Sequence, residues 1–385
     1  MKRNVSYVLF GATGDLAQRK IMPALCALSS AHDLEVIAFS RRPWSDQDYH
    51  AFIAPSLKRF DLATSQAFLG RVRYAQGTFD DAQAFAVLKE KVSDNAIFHL
   101  AVQPEFYLPI IEHLGKAGLR GKLLIEKPFG QGSDSAQALE KAIERYFSPD
   151  DIYRVDHYLG KEGLDAVLAA RRDDSTFENS LTRERVAKVI CRLEESLGIE
   201  GRGEFYDAVG ALHDVGQNHL LEMLATLIME LPAHDGDLPQ MRAQAIASLE
   251  PLAAHAVRGQ YRGYPEEDGV AKDSQTETYF KIAAESSLAR WQGVELVLEA
   301  GKALKEKKSE IEISYKDGTS HVFDIERPRR HDAYEVLIAA AMSGERARFA
   351  SAEEIIAAWR FAEAAAEILR RAPLIMYERG SERAA

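Results

Sequence analysis

The stretch from Val5 to Ala17 limits what this chain can fold into more than any other. Val5 to Phe10 is a short, uncharged and mostly apolar run that stops at Gly11, and GATGDLA (Gly11 to Ala17) follows directly. A short apolar run ended by a glycine reads as a buried strand. From Asp15 to Ser29 the apolar residues recur at helical spacing. Strand, glycine turn and helix in this order open a nucleotide-binding βαβ unit. Gly11 permits the tight turn, Gly14 lets the backbone approach a pyrophosphate, and Ala17 lets the helix sit close on the sheet. The helix start then offers amide donors to the phosphates. The turn thus supplies Gly11, Thr13, Gly14, Asp15 and Leu16 as candidate cofactor-binding residues. A glycine turn without a ligand is the bland alternative, disfavoured because strand, turn and helix all line up.

Further buried strands are expected at Leu34 to Ser40, Ala96 to Ala101 and Lys122 to Ile125, with helical patterns between them. That alternation predicts a parallel, doubly wound sheet. After about residue 150 the pattern changes. Val186 to Glu194 alternates loosely, as a half-exposed strand does, and Leu212 to Met229 is a helix pattern stopped by Pro232. Gln275 to Ala284, Val294 to Ala300 and Glu310 to Tyr315 read as antiparallel strands. Lys316-Asp317-Gly318 forms a hairpin turn to His321 to Ile325. Ala352 to Arg371 is an Ala-rich amphipathic helix, and the polar tail from Arg379 is expected to fray. The fold class is therefore an α/β Rossmann-type N-terminal domain followed by an α+β C-terminal domain with a mainly antiparallel sheet. The domains are placed at 1–150, for the cofactor, and 151–385, for substrate and oligomerisation.

A net charge of −11 over 385 residues argues against a nucleic-acid surface. Any anion must then be captured by a local basic cluster against the global field. Cys26 and Cys191 are the two cysteines, far apart and without zinc or redox spacing, so no metal site is expected. Two isolated thiols fit a reducing compartment. No segment has the apolar length of a membrane span, and Gly11 cuts the first apolar run too early for a signal peptide. A cytoplasmic protein is expected.

The second strand ends in Ser40-Arg41-Arg42. An acid there would suit a ribose diol, whereas Arg41 and Arg42 suit a 2′-phosphate. NADP is preferred, with NAD second. Lys127, in EKPFG, follows the strand Lys122 to Ile125 and so faces the ligand crevice at the strand ends, a candidate for binding both a substrate hydroxyl and the cofactor. RVDHYLGK (Arg154 to Lys161) packs Asp156, His157, Tyr158 and Lys161 into one short segment. Cationic and phenolic donors of this kind can converge on one anion, although a charged surface turn would look the same in isolation. Oxidising an alcohol needs a base near neutral pH, and a carboxylate-held imidazole is suited to it. His157 and His219 are the candidates, with Asp156 and Asp214 available to orient a ring. His219 lies on the helix pattern of DVGQNHLLEML, among Asp214, Gln217 and Asn218, which disfavours a plain apolar-core role.

These stretches together resemble the glucose-6-phosphate dehydrogenase family. The resemblance rests on GATGDLAQRKIMPAL (Gly11 to Leu25), EKPFG (Glu126 to Gly130) and IYRVDHYLGKE (Ile152 to Glu162). It continues through EESLGIEGRGEFYDAVGALHDVGQNHLLEML (Glu194 to Leu224), DSQTETYFKI (Asp273 to Ile282) and GKALKEKKSEI (Gly301 to Ile311). It implies oxidation of C1 of glucose 6-phosphate to the lactone with hydride transfer to NADP, in the pentose phosphate pathway. By the same resemblance His219 matches the general base and Asp156 its carboxylate partner. His157, Tyr158 and Lys161 match the phosphate-binding group, and Lys127, Glu195 and Asp214 match residues that hold the sugar hydroxyls. Lys302, with Lys307, matches a basic substrate contact, and Arg41 the contact to the 2′-phosphate. A homo-oligomer, dimer or tetramer, is implied as well.

The chain departs from the family pattern in three places. Little separates the hairpin at Gly318 from Asp332, where the family has further sheet strands. His213 stands where the family has Arg, and AARRDDSTFENS follows Leu168 in place of Phe-Ala-Asn. The competing readings are an enzyme like glucose–fructose oxidoreductase or inositol dehydrogenase, acting on a different and unphosphorylated sugar, and a non-catalytic NADP-binding sensor. A short-chain dehydrogenase is disfavoured because no tyrosine has a lysine four positions on.

Overall fold

A computed structural model of the chain describes residues 5–327 and 330–384. These fall into two compact units: Met1–Gly160 with His331–Ala352, and Lys161–Arg330 with Glu353–Ala385.

In the first unit, Val5–Phe10 forms β1, buried at every position. It is joined by β2 (Leu34–Ser40), β3 (Val72–Gln76), β4 (Ala96–Leu100), β5 (Lys122–Glu126) and β6 (Ile152–Val155). The order is β3-β2-β1-β4-β5-β6, with every neighbouring pair parallel. The order reverses direction between β1 and β4, which makes their carboxyl ends the ligand crevice of such a sheet. β3 and β6 escape an apolar-run reading because each carries an arginine. In β6 the Arg154 guanidinium is buried against Glu140, Nε to Oε1 2.7 Å. A cut at residue 150 falls before β6.

The helix after β1 is less regular than its spacing suggests. Ala17–Ile21 is a π-turn, in which the Met22 N–H reaches back to the Ala17 carbonyl. Pro23 has no N–H to close the α-type bond that would follow, and a wide turn sits where that bond is missing. Ala333–Ser343 is an N-capped helix: the Asp332 carboxylate accepts from Tyr334 N–H at 3.0 Å. Gly344, at φ 84°, ends it. Leu337, Ile338 and Phe349 are buried in the same apolar cluster as Val5, Leu25 and Val155.

The second unit holds β7 (Val186–Glu194), β8 (Leu249–Tyr261), β9 (Tyr279–Ser286), β10 (Glu295–Gly301), β11 (Lys308–Tyr315), β12 (Ser320–Asp324) and β13 (Leu374–Tyr377). The order is β12-β11-β7-β10-β9-β8-β13. β10 is antiparallel to β9, as expected, but parallel to β7, and β13 is parallel to β8. The sheet is therefore mixed, though antiparallel pairs prevail. The chain between β7 and β10 runs through several helices and through β8 and β9, long enough for the crossover that a parallel pairing needs. β7 is buried from Val189 to Glu194 and not half-exposed. Its outward charges are sealed by ion pairs: Arg192 reaches Glu310 at 2.7 Å, Glu312 at 2.5 Å and Glu299 at 3.3 Å. β8 was hidden by a bulge between Leu252 and Val257, which breaks its alternation. The tail is tied down where fraying was expected: Gly380 N–H donates to Ala303 O at 2.8 Å, and Ser381 O accepts from Lys305 N–H at 2.9 Å.

Helix Gly203–Ala211 breaks at Gly210 (φ 70°, ψ 171°). A Cβ there would sit 2.5 Å from the Glu277 carboxylate. The chain then runs as a nine-residue π-helix, Leu212–Leu220, and as an α-helix, Leu221–Ile228. The π-segment lies on β10 and β7. Beside them, Gly216 lets it approach β9, where a Cβ would come within 2.7 Å of the Phe280 ring. The departing segment after Leu168 has a structural task here. Arg171 is 2 % exposed. It donates to Thr226 O at 3.0 Å and Met229 O at 2.8 Å. The guanidinium so closes the open carbonyls at the end of helix Leu221–Ile228.

Candidate active site

In the first unit, the expected site residues stand at the carboxyl ends of four different parallel strands. Gly11 follows β1 with φ 78°, and a Cβ on it would meet Ala101 O at 2.2 Å. Only glycine fits there. Gly14 N–H donates back to Gly11 O at 2.9 Å, which closes a turn over Ala12 and Thr13, and Asp15 and Leu16 then open the helix. The Thr13 and Ser40 hydroxyls, 2.8 Å apart, tie this turn to the end of β2. Arg41 and Arg42 project just beyond and are exposed. Their guanidiniums lie 5.8 Å from the Phe106 ring and 4.8 Å from the Trp44 ring. Aromatic faces of this kind hold a cation in place without neutralising it.

Lys127 and Glu126 end β5. Lys127 is half-buried, and its peptide bond to Pro128 is cis. Beneath it lies a buried polar network that the sequence did not announce. The Glu126 carboxylate contacts His99 Nε2 at 2.8 Å and accepts from Tyr334 Oη at 3.2 Å. His99 Nδ1 lies 2.5 Å from Tyr7 Oη, and Tyr107 Oη donates to Glu126 O at 2.6 Å. Burial, and then the Glu126 charge, push the Tyr7 phenol well above its ordinary pKa, so it stays a donor. A Tyr7, His99 and Glu126 hydrogen-bond chain thus links β1, β4 and β5. The network fixes the strand end from which Lys127 projects. Asp156, His157 and Tyr158 follow β6. The Asp156 carboxylate accepts from Tyr158 N–H at 2.9 Å, and the His157 and Tyr158 rings meet edge to face at 5.1 Å.

The second unit begins with Lys161, which precedes helix Glu162–Asp173 and is almost fully buried. Its ammonium pairs with Glu326, whose other oxygen is 3.7 Å from Lys307 Nζ. Glu195, Asp214 and Lys302 are brought together. Lys302 Nζ pairs with Glu195, lies 3.5 Å from the Asp214 carboxylate and stands 5.1 Å over the Tyr206 ring. Tyr206 is a residue the sequence reading missed. Its hydroxyl is buried with no hydrogen-bond partner among the described residues. Burial, then the charges of Asp214 and Glu277, raise its pKa. His219 is 3 % exposed on the π-helix. Asn218 fixes the backbone around it: its carbonyl oxygen accepts from His219 N–H at 2.7 Å, and its amide donates to Asp214 O at 3.1 Å. π-turns of this kind recur at functional positions, where they re-aim side chains. Nothing in the periodicity of DVGQNHLLEML separated a π-helix from an α-helix.

This architecture is that of a nicotinamide-dependent oxidoreductase with a dinucleotide-binding domain followed by an α+β domain. The chain belongs to the glucose-6-phosphate dehydrogenase family: residues 8–165 match the model for that family's NAD binding domain, and residues 168–332 match its C-terminal domain. The glucose-6-phosphate 1-dehydrogenase of Borreliella burgdorferi is 30% identical over 453 aligned positions, covering 98% of this chain and 95% of the relative. An alignment of 453 positions on a 385-residue chain places many gaps here, in line with a shortened member. Among solved structures, the glucose-6-phosphate 1-dehydrogenase of Mycobacterium avium has a TM-score of 0.89 at 30% identity, over 99% of this chain and 95% of that one. A glucose-6-phosphate dehydrogenase in complex with its substrate has a TM-score of 0.91 at 26% identity, with the same coverage. The family carries with it the glucose-6-phosphate dehydrogenase reaction and the NADP cofactor expected from the sequence. No helix of the described residues is long and apolar enough to cross a membrane.

Proposed function

We propose that in this enzyme His219 is the base and Asp156 its carboxylate partner. The hydride at C1 of glucose 6-phosphate leaves with its electron pair for NADP, the C1 hydroxyl proton passes to His219, and the C1–O bond becomes the lactone carbonyl. A neutral imidazole on a rigid helix accepts that proton near neutral pH. In this reading Lys127, Glu195, Asp214 and Lys302 bind and orient the sugar hydroxyls, and His157, Tyr158, Lys161 and Lys307 hold the phosphate. Gly11, Thr13, Gly14, Asp15 and Leu16 cradle the pyrophosphate, while Arg41 and Arg42 favour a 2′-phosphate. The observation that carries the reading is the gathering of the first unit's candidates at the carboxyl ends of β1, β2, β5 and β6. Strand ends of a parallel sheet are where ligands of such folds bind.

NADPH formation across a panel of hexose 6-phosphates and free hexoses tests it. Turnover with glucose 6-phosphate far above that with glucose is the expected result. Equal use of both would favour an enzyme for unphosphorylated sugars, and tight NADPH binding without turnover would favour a sensor. We propose in addition a cytoplasmic homo-oligomer, dimer or tetramer. Support comes from the two buried free thiols, Cys26 and Cys191, and from exposed Val322 and Met376 on the edge strands β12 and β13. Light scattering decides the assembly and cell fractionation the compartment.

A further inference from the structure

Glu326 occupies an unusual position for a carboxylate. It lies in the turn after β12, in the shortened segment that sets this chain apart from the family pattern. The turn is firmly held. Glu326 N–H donates to the Asp324 carboxylate at 2.9 Å, and the buried Ile325 donates its N–H to Ser309 O at 2.7 Å. Gly163, in the first turn of helix Glu162–Asp173, lies so close that a Cβ on it would meet Ile325 Cα at 2.4 Å. The backbone is thus pinned between that helix and β11. The carboxylate that projects from it pairs with Lys161 and stands 3.7 Å from Lys307.

The Lys161 side chain is 2 % exposed, that of Glu326 29 % and that of Lys307 61 %. A buried ammonium needs an anion beside it, and Glu326 supplies one. Two ammoniums match a phosphate monoester, which carries close to two negative charges at neutral pH. With Glu326 between them, half of that positive charge is already answered.

We propose that Glu326 is an internal competitor for the substrate phosphate and so a specificity-determining residue. This rests on the reading of Lys161 and Lys307 as phosphate lysines. The partly exposed Glu326 side chain has room to swing to solvent while its backbone stays fixed. A dianionic phosphate can take its place on both lysines, because it returns more charge than it removes. A neutral sugar cannot, since displacing Glu326 would strand the buried Lys161 ammonium. Glu326 therefore weakens binding of every phosphate, while an unphosphorylated sugar leaves the Glu326 and Lys161 pair in place and is not penalised.

Glu326→Gln tests this. Calorimetric titration with inorganic phosphate, in the absence of cofactor and sugar, should show about tenfold tighter binding, the worth of one charged contact at a partly screened site. The KM for glucose 6-phosphate should fall by a similar factor while that for glucose stays unchanged, so the preference for glucose 6-phosphate over glucose should widen. In the Lys161→Ala background the added Glu326→Gln change should have no such effect. Should Glu326→Gln fold poorly, Glu326→Asp, which withdraws the same charge by one methylene, should show the tightening in part. Unchanged or weaker phosphate binding by a folded variant overturns the proposal and leaves Glu326 a structural ion-pair partner. The underlying reading fails separately: if Lys161→Ala alone leaves the preference for glucose 6-phosphate over glucose intact, Lys161 is no phosphate ligand. If that preference collapses while Glu326→Gln changes nothing, only the competitor role is lost.

Discussion

The arginine pair after β2 gives a quantitative test of cofactor choice. Neither Arg41 nor Arg42 forms an ion pair with a carboxylate among the described residues, and each lies against an aromatic ring, Phe106 at 5.8 Å and Trp44 at 4.8 Å. The backbone beneath Arg42 is fixed, because its carbonyl accepts from Tyr74 Oη at 2.7 Å. Both guanidiniums are therefore placed in advance for an anion and contribute little to the fold. A hydrogen bond between charged groups is worth roughly 1.5–3 kcal/mol. The exposed setting and salt screening favour the lower end, so each arginine should carry about tenfold in affinity for a 2′-phosphate. Nothing in a bare ribose diol calls on that charge. Arg41→Ala should thus lower kcat/KM for NADP about tenfold and leave that for NAD nearly unchanged, and the double variant with Arg42→Ala should approach a hundredfold loss if the two act independently. Initial rates with both dinucleotides at low and high salt supply the measurement, and the advantage of NADP should shrink with salt in the unmodified enzyme. A double variant with an unchanged NADP-to-NAD ratio would refute the reasoning and move the 2′-phosphate contact elsewhere.

His219→Ala should lower kcat by roughly 10²–10⁴-fold with little change in melting temperature, and near-normal turnover would remove His219 from the mechanism. Arg171→Met strips a buried cation from two backbone carbonyls and from Glu178, which keeps Arg290 as a partner. About 3 kcal/mol should be lost, read as a lower urea midpoint at constant slope; an unchanged midpoint would show that those carbonyls find other donors. Burial raises the Glu277 carboxyl above its ordinary pKa of 4.5, against the pull of Leu212 N–H. The folded state then holds the proton more tightly than the unfolded chain, so stability falls as pH rises from 4.5 through the raised value and stays lower above it. Glu277→Gln keeps an oxygen for Leu212 N–H and removes that penalty. It should therefore match the unmodified protein in acid and exceed it at neutral pH; an equal difference at every pH would contradict this.

Much of the framework was legible in the sequence because it rests on short-range signals. β1, its glycine turn and the hairpin at Lys316-Asp317-Gly318 are each dictated within a few residues. β6 was missed because Arg154 looks solvent-seeking until Glu140 is brought to it. The sealed face of β7 depends in the same way on glutamates from β10 and β11. Long-range charge pairing leaves no periodic trace. The site followed the same division. GATGDLA, EKPFG, DHYLGK and DVGQNH stand out as local clusters, whereas Tyr206, His99, Tyr334 and Glu326 gain meaning only from what folds against them. The π-helical winding of Leu212–Leu220 was invisible because its apolar spacing also satisfies an ordinary helix.

The return of residues His331–Ala352 to the first unit has a consequence for how the chain is made. Tyr334 hydrogen-bonds Glu126, and Leu337, Ile338 and Phe349 complete the apolar cluster that begins at Val5. During vectorial synthesis the dinucleotide-binding unit therefore cannot close when its sixth strand leaves the ribosome. It must wait with part of its core uncovered until the whole Lys161–Arg330 segment has emerged. Such a nascent chain is a natural client for chaperones. A gene fragment cut at residue 160 should accordingly yield aggregates, whereas the same fragment joined through a linker to residues 331–352 should stay in solution.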